Sequence, residues 1–404
     1  MKAAPIVFVI HQIGSGADGG TQSISELLFN TPRLRKLVIT NIATPASARW
    51  KAHGEVAAWN MTEAAHAESR RGPGYRLGQI GRRLANNWRM ARLVRRQGVK
   101  VVHCNDHRAF WNTALGAKLA GARVVLNVRD TMRPGARSHF MWRLALRICD
   151  LFLVLSQEMV DSWVETLRPL SLRKGQRAKF AFLYSIVDIG RFHPVPPEER
   201  RRLRRELGIG EGEIAIAYVG RIEPKKAQLP FIRAALAPLV ERVPKAHVHF
   251  VGDFLPDRDA YSAACRDAVA ESGCGHAATF AGYTARSADW YRACDVLVLA
   301  SEREGLPRCV IEGLACGAPV VSFDVCSVRE ILEGHDCGKA VNQGDYGNLV
   351  TAIAALCDNP GERARLAGRG PEVATRLFDA GRNGDLYADL VTGLSWGADD
   401  AFRH

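Results

Sequence analysis

Residues 301–330 read SEREGLPRCVIEGLACGAPVVSFDVCSVRE, and this stretch decides the fold. It follows an apolar run, Val296–Leu299, that is typical of a buried parallel strand. A helix is predicted over residues 308–316, because Gly317 ends the helical pattern. A second apolar strand is predicted at Val320–Phe323. Strand, loop, helix and strand in this order make one βαβ unit of a parallel sheet.

Acidic side chains collect at the carboxyl end of the first strand of this unit, which is where parallel sheets bind their ligands. Glu302 and Glu304 lie in the loop, and Glu312 lies one to two turns into the helix. The helix N-terminus offers free amides from Leu306 onward, and such amides suit an anion. Carboxylates beside an anion site fit a ligand that carries both phosphate and hydroxyl groups, as a sugar nucleotide does.

The segment EGLPRCVIEGLACGAPVV, with Glu304 and Glu312 eight positions apart, resembles the E-x7-E signature of retaining GT-B glycosyltransferases, most closely those of glycosyltransferase family 4. The pattern is long and ordered, and it stands in the strand, loop and helix context that gives a motif its value. The alternative interpretation is that Glu304 is only an N-terminal helix charge and that Glu312 lies on a solvated face.

The resemblance implies an α/β protein of the GT-B fold, with two facing Rossmann-like domains, a cleft between them and a C-terminal helix that crosses back. It also implies an enzyme that transfers a hexose-type sugar from a nucleoside-diphosphate sugar to an acceptor hydroxyl, with retention of configuration and without a metal or other cofactor. The expected acceptor is a saccharide or, from the arginines described below, a lipid-linked saccharide, in the synthesis of bacterial cell-surface polysaccharide or glycolipid.

A second segment supplies cations to the carboxyl end of another predicted strand. The sequence GRIEPKK at residues 220–226 resembles the family's G-R-L-x-x-x-K, in which the Arg and the Lys hold the donor diphosphate. The resemblance therefore assigns catalytic roles to Arg221 and Lys226, together with Glu304. A fixed guanidinium and ammonium can neutralise a leaving diphosphate without a metal. The family commonly has Gly after the Lys, whereas Ala227 stands here.

The same resemblance assigns the rest of the donor site. Glu304 contacts the hydroxyls of the donor sugar, and Glu312 contacts those of the ribose. Tyr283 follows a segment like the one that lines the family's nucleobase pocket, and two glycines match the pair that follows the first strand. Besides Glu312, the donor-binding residues are Gly305, Leu306, Pro307, Tyr283, Gly19 and Gly20.

The loop after the first strand also keeps a rival open, because Gly14, Gly16 and Gly19 fit the dinucleotide-binding pattern G-x-G-x-x-G. That pattern needs an acid near the end of the second strand, and the predicted strand at residues 36–42 ends without one. A nicotinamide-dependent oxidoreductase is therefore the weaker prediction. A non-catalytic module that binds sugar nucleotides or polyanions is a further alternative.

Polar residues after two strands of the first half match the acceptor side of the family. In this chain they are Asn105, Arg129 and Asp130. Many family members have His-Asp where Arg129-Asp130 stands. Arg129 would suit an anionic acceptor group, and a structural salt bridge to Asp130 is equally consistent with the sequence.

The formal charge of +13 predicts anionic partners. Residues 69–97 contain nine arginines and no acid, and we call residues 70–96 the Arg-rich segment. Apolar residues recur there at helical spacing, which predicts an amphipathic basic helix. These residues are Leu77, Ile80, Leu84, Trp88 and Ala91. The helix is either docked with a solvated cationic face, or a platform for an anionic membrane or a phosphorylated acceptor. Nucleic acid is not expected, since no recognised binding motif accompanies the charge.

Cysteine usage and hydropathy limit the remaining possibilities. The ten cysteines form no C-x-x-C pair and the twelve histidines show no metal-ligand spacing, which predicts reduced thiols in a cytoplasmic protein without a metal. No apolar stretch is long enough to span a bilayer, so any membrane contact is predicted to be peripheral, on the cytoplasmic face. Prolines near residue 194 predict a domain boundary there. The family resemblance then implies an acceptor-binding domain at 1–194, a sugar-nucleotide-binding domain at 195–372 and a returning helical segment at 373–404.

Overall fold

The computed structural model describes residues 4–12, 19–62, 73–129, 136–167, 180–253 and 259–396. The chain divides into two compact units, one made of Met1–Ile186 with Ala380–His404 and the other of Val187–Asp379. The predicted domain boundaries, 194 and 372, differ from these divisions by eight and seven residues. Each unit is a parallel α/β domain, as predicted.

The first unit is built on a sheet of seven parallel strands in the order β3-β2-β1-β4-β5-β6-β7. The strands are β1 (Ile6–Ile10), β2 (Lys36–Thr40), β3 (Glu55–Ala58), β4 (Val101–Cys104), β5 (Arg123–Asn127), β6 (Leu151–Val154) and β7 (Phe180–Phe182). Every residue of β1 and β2 is buried, as expected for parallel strands covered on both faces. The strand order reverses between β1 and β4, so a ligand crevice is expected at their carboxyl ends.

Helices follow the strands of this unit in turn. Within the described ranges they are α1 (Gly19–Phe29), α2 (Pro45–Trp50), α3 (Pro73–Gln97), α4 (His107–Leu119), α5 (Ala136–Ile148) and α6 (Gln157–Leu167). The described part of the Arg-rich segment, from Pro73 onward, therefore forms the long helix α3, as predicted.

Helix α3 packs against α4 through a polar seam. Asn86 Nδ2 donates to Asn112 Oδ1 at 3.0 Å, and Asn112 Nδ2 donates to Thr62 Oγ1 at 3.0 Å. Gly116 permits the close approach of the two helices, because a Cβ there would lie 1.9 Å from the carbonyl oxygen of Asn87. The helix is docked, but not through Leu77, Ile80, Leu84 and Trp88, which we call its apolar stripe.

The apolar stripe of α3 faces solvent instead. Its exposed fractions are 69% for Leu77, 53% for Ile80, 65% for Leu84 and 62% for Trp88. Met90 and Val94, which lie on the side of the helix that carries Asn86, are buried. Helical periodicity thus predicted the helix correctly but did not indicate which side is buried.

The second unit contains a sheet of six parallel strands in the order β10-β9-β8-β11-β12-β13. The strands are β8 (Ile214–Val219), β9 (Ala246–Val251), β10 (Ala278–Gly282), β11 (Val296–Leu299), β12 (Val320–Phe323) and β13 (Gly338–Val341). Strands β8 and β11 are direct neighbours, so the loops that follow them leave the same edge of the sheet side by side.

Helices and short helical turns connect these strands. In the described part of this unit they are α7 (Pro197–Glu206), a 3-10 turn (Pro224–Lys226), α8 (Gln228–Phe231), a π-helical turn (Ile232–Leu236), α9 (Ala237–Arg242), α10 (Asp259–Glu271), a 3-10 turn (Gly275–Ala277), α11 (Ser287–Ala293), α12 (Arg308–Ala315), α13 (Val328–Leu332), α14 (Tyr346–Asp358) and α15 (Pro360–Phe378). The predicted unit β11, α12, β12 is confirmed.

The C-terminal helix α16 (Ala380–Trp396) returns to the first unit, as the family resemblance implies. Its Tyr387 is fully buried, and the phenol oxygen lies 2.9 Å from Nδ1 of His103 in β4. The ring of Tyr387 also packs 5.9 Å from that of Phe8 in β1. Helix α16 thereby becomes part of the core of the first unit.

The cysteines are free thiols, and eight of the ten are buried. No helix in the part of the chain that the structure describes is long and apolar enough to cross a membrane.

Candidate functional site

The loop after β8 turns back on itself to bring Lys226 to the carboxyl edge of the second sheet. Pro224–Lys226 form a 3-10 turn, and the next residue, Ala227, adopts the left-handed conformation with φ 55° and ψ 32°. That conformation costs a non-glycine residue about 1–2 kcal/mol. The structure therefore explains why the family pattern favours glycine at this position, and the loop keeps its shape here despite the alanine.

Lys226 and Glu304 meet at this edge. Lys226 Nζ lies 2.5 Å from Glu304 Oε1, and Lys225 Nζ lies 3.8 Å from Oε2. Burial alone would raise the pKa of Glu304, but the charges of Lys226 and Lys225 outweigh burial and hold that pKa below its usual value. Burial likewise opposes the charge of Lys226, but Glu304 raises its pKa. Both groups are therefore ionised at neutral pH.

Hydrogen bonds fix the two loops that carry this pair. The hydroxyl of Tyr218 donates to the carbonyl oxygen of Lys226 and accepts from the amide of Ala300 at 3.2 Å. The amide of Glu302 donates to the carbonyl oxygen of Lys225 at 3.0 Å. Tyr218 is fully buried in β8 and was not predicted. Its signal in the sequence is a single tyrosine near the end of the otherwise aliphatic strand IAIAYV.

Arg221 follows β8 on the same loop as Lys226, but it is held differently. Its Nη2 lies 3.1 Å from Glu223 Oε1, and 49% of its side chain is exposed. The carbonyl oxygen of Arg221 accepts from Gln228 Nε2 at 2.8 Å, which fixes the backbone of the turn. Arg221 is thus anchored at its base and keeps an accessible guanidinium.

Glu312 lies on α12 and is buried among partners. Arg308 approaches its Oε1 with Nε at 3.0 Å and Nη2 at 2.8 Å. The hydroxyl of Tyr291 donates to Oε2 at 3.2 Å. Neither partner was predicted. Tyr291 becomes a neighbour of Glu312 only when α11 packs against α12. Arg308 lies four residues before Glu312 on α12 itself, so this pair could have been predicted from the spacing.

The N-terminus of α12 lies between two acids, Glu304 in the loop before the helix and Glu312 on the helix itself. Pro307 precedes the helix and provides no side-chain cap, while its carbonyl oxygen accepts the amides of Val310 and Ile311. Amides in the first turn of a helix have no partner within the helix, so they can bind an anion. Gly305 and Leu306 lead into this turn, as predicted. The second unit therefore brings helix amides, carboxylates and cations together at one sheet edge.

Other predicted site residues lie elsewhere. Tyr283 is 70% exposed and lines a groove with His247 and His249. Gly19 and Gly20 begin α1 of the first unit. The remaining residues of the glycine loop, 13–18, lie outside the described residues.

The acceptor-side residues belong to the first unit. Asn105 is buried after β4 and accepts from Asn127 Nδ2 at 3.4 Å. Arg129 follows β5 and is half-buried. Burial lowers the pKa of His103 to about 3, and the charge of Arg129 adds to this effect. Asp130 lies outside the described residues, so the predicted pairing of Arg129 with Asp130 stays a prediction.

Solved structures share this architecture and show the fold. The HepE protein of Anabaena, solved in complex with UDP, matches with a TM-score of 0.80 at 20% identity, over 96% of this chain and 100% of that chain. WaaG, described as a glycosyltransferase involved in lipopolysaccharide biosynthesis, matches with a TM-score of 0.66 at 15% identity, over 96% and 100% of the two chains. The fold is that of the GT-B glycosyltransferases.

Two family models match the sequence itself. Residues 51–173 match the model described as Glycosyltransferase Family 4, and residues 213–359 match the one described as Glycosyl transferases group 1. Together they cover more than half of the chain. The protein belongs to the group 1 glycosyltransferases of family 4.

Curated relatives share part of the chain. The D-inositol 3-phosphate glycosyltransferase 2 of Catenulispora acidiphila is 31% identical over 52% of this chain and 50% of its own length. The lipopolysaccharide core biosynthesis mannosyltransferase LpsB of Rhizobium meliloti is 26% identical over 58% of this chain and 68% of its own length. The chain spans about half the length of most of the curated relatives it matches.

The contact between Lys226 and Glu304 predicts a strong energetic coupling. Lys226→Met and Glu304→Gln each leave one buried charge without its partner, so each should lower the free energy of unfolding by about 3 kcal/mol. The double variant should lose less than the sum of the two, by about 1–3 kcal/mol, in denaturant unfolding of the four proteins.

The exposed pair Arg202 and Glu206, 3.5 Å apart on α7, provides the matched control. Arg202→Met with Glu206→Gln should show a coupling of only about 0.5 kcal/mol. Strictly additive losses at Lys226 and Glu304 would contradict the contact.

Proposed function

We propose that the protein transfers a hexose-type sugar from a nucleoside-diphosphate sugar to an acceptor hydroxyl, with retention of configuration and without a metal. The observation that carries the proposal is the meeting of Lys226 and Glu304 beside the open N-terminus of α12. The relatives support the class: LpsB is named a mannosyltransferase of lipopolysaccharide core biosynthesis, and HepE was solved in complex with UDP. Synthesis of bacterial cell-surface polysaccharide or glycolipid is the corresponding role.

The charges of the site match those of the reaction. As the bond between the anomeric carbon and the phosphate oxygen breaks, negative charge grows on the departing diphosphate, where Arg221, Lys226 and the α12 amides stabilise it. Positive charge grows at the anomeric carbon, near the carboxylate of Glu304. The acceptor oxygen forms the new bond to that carbon, and its proton passes to the departing phosphate. No separate base is required.

The resting contact of Lys226 with Glu304 suits this sequence of events. Without a donor, each charge compensates the other in a poorly solvated position. A bound diphosphate competes for the ammonium, which frees lone pairs of Glu304 for sugar hydroxyls. The same two residues would thereby serve both the empty and the occupied site.

Helix α3 suggests that the protein binds its acceptor at a membrane surface. Its exposed apolar stripe, defined by Leu77, Ile80, Leu84 and Trp88, lies among exposed arginines, and the described part of the helix contains no acid. The guanidinium of Arg92 stands 5.5 Å from the centre of the Trp88 ring. Exposed apolar residues beside arginines are the pattern of a helix that lies in the interface of an anionic bilayer. This pattern supports the proposal of peripheral contact with the cytoplasmic membrane face and of a saccharide or lipid-linked acceptor.

Glu304→Gln tests the proposed transfer. A thermal-shift panel of sugar nucleotides first identifies the donor, and release of nucleoside diphosphate then reports turnover. Glu304→Gln should abolish turnover at a temperature where the variant is folded, while the affinity for the nucleotide stays largely unchanged. Glu302→Gln, an exposed neighbour, is the matched control and should keep its activity. Full activity of the Glu304 variant would refute the assigned role.

Arg221→Ala, in the same assay, should raise the dissociation constant of the nucleoside diphosphate about tenfold, because one charge-assisted hydrogen bond is lost. An unchanged constant would count against the diphosphate role of this loop.

Membrane contact is tested by sedimentation with phosphatidylglycerol and phosphatidylcholine vesicles. The protein should bind the anionic vesicles, and Leu84→Ser combined with Trp88→Ser should weaken binding about tenfold, because apolar area no longer enters the interface. Leu386→Ser, which changes a half-exposed leucine on α16, should have no effect. Equal binding of the stripe variant, or no binding to anionic vesicles, would exclude α3 as the contact.

A further inference from the structure

The carboxylate of Glu312 is fixed from two sides. Arg308 holds Oε1 through two nitrogens, at 3.0 and 2.8 Å, and Tyr291 donates to Oε2 at 3.2 Å. Both side chains of the ion pair are close to fully buried, with exposed fractions of 12% and 8%. A carboxylate oxygen has two lone pairs, so Oε2 keeps one acceptor position after it accepts from Tyr291. These contacts from two side chains together fix the rotation of the carboxylate.

The stability of the helix does not account for this arrangement. Arg308 is the first residue of α12, where the helix dipole disfavours a cation. Glu312 follows four residues later, and this order of the two charges is the weaker one for a helical pair. The pair therefore lies against the helix dipole, at the end of the helix that faces the site, which indicates a role in the site rather than in folding.

Tyr291 adds a contact from a different helix, α11. Its side chain is buried, and burial together with the nearby charge of Glu312 raises its pKa well above the usual value. The phenol thus remains a hydrogen-bond donor at all ordinary pH values. Its hydroxyl fixes Oε2 independently of Arg308.

We infer that Arg308 and Tyr291 are positioning residues, which aim the carboxylate of Glu312 at the ribose of the donor and so set a preference for ribose over 2′-deoxyribose. The inference rests on the proposed function, in which Glu312 contacts the ribose hydroxyls. A buried acceptor aligned with a hydroxyl discriminates strongly against a ligand that lacks it, because the acceptor is then left unpaired. An acceptor that is free to rotate discriminates less.

The test compares dissociation constants of UDP with 2′-deoxy-UDP, and of GDP with 2′-deoxy-GDP, by calorimetry on the full chain. In the pair that binds, the wild type should prefer the ribonucleotide about tenfold or more. Tyr291→Phe and Arg308→Met should each reduce this ratio at least about threefold, and Glu312→Gln should reduce it as far or further. Tyr346→Phe, a half-buried tyrosine of α14, is the matched control and should keep the ratio.

The ratio distinguishes positioning from a merely structural role. Damage to the fold would weaken both nucleotides equally and leave the ratio unchanged, and that result in Tyr291→Phe would overturn the inference even if Arg308→Met failed to fold. A ratio that falls in Glu312→Gln but in neither positioning variant would also overturn it, while the ribose role of Glu312 would stand. A wild type that binds both nucleotides equally refutes the ribose role and the inference but not sugar transfer, whereas a wild type that binds no nucleoside diphosphate refutes the proposed function as well.

Discussion

Two opposite charges lie 2.5 Å apart at the carboxyl edge of the second sheet, where Lys226 of one loop meets Glu304 of the next. Removing both charges from water costs several kcal/mol, so such a pair does little for stability by itself. It exists because β8 and β11 are neighbours and because Tyr218 ties their loops together. The strained backbone at Ala227 directly follows Lys226, and the uncapped start of α12 follows Glu304 by four residues. The candidate donor site depends on this one contact.

The sheet edge and its four predicted side chains could be foreseen because they follow from local rules. Apolar runs separated by a helical pattern predicted β11, α12 and β12, and carboxyl ends of parallel strands necessarily share an edge. Glu304, Glu312, Arg221 and Lys226 were therefore expected together, and the structure places them on the loops and helix that follow β8 and β11.

Contacts that depend on tertiary packing could not be foreseen in this way. Tyr291 was not predicted, because nothing in the local sequence shows that α11 brings a phenol to Glu312. Arg308 is different, since its four-residue spacing from Glu312 on α12 was enough to predict that pair, and it was overlooked. Helical spacing predicted the helix α3 correctly. The side of α3 that is buried, however, carries Asn86, which donates to Asn112 of α4, and not the apolar stripe. Helices α3 and α4 cross closely at Gly116, and polar side chains meet at this crossing. The apolar periodicity of α3 alone cannot predict where another helix crosses it.

The central claim is that the edge formed by β8 and β11 binds the diphosphate of the donor. A crystal structure of the protein with the nucleoside diphosphate that stabilises it most tests this claim directly. The account predicts phosphate oxygens within about 3 Å of Lys226 Nζ and of amides in the first turn of α12. A diphosphate bound away from both, with Lys226 and Glu304 still paired, would contradict it.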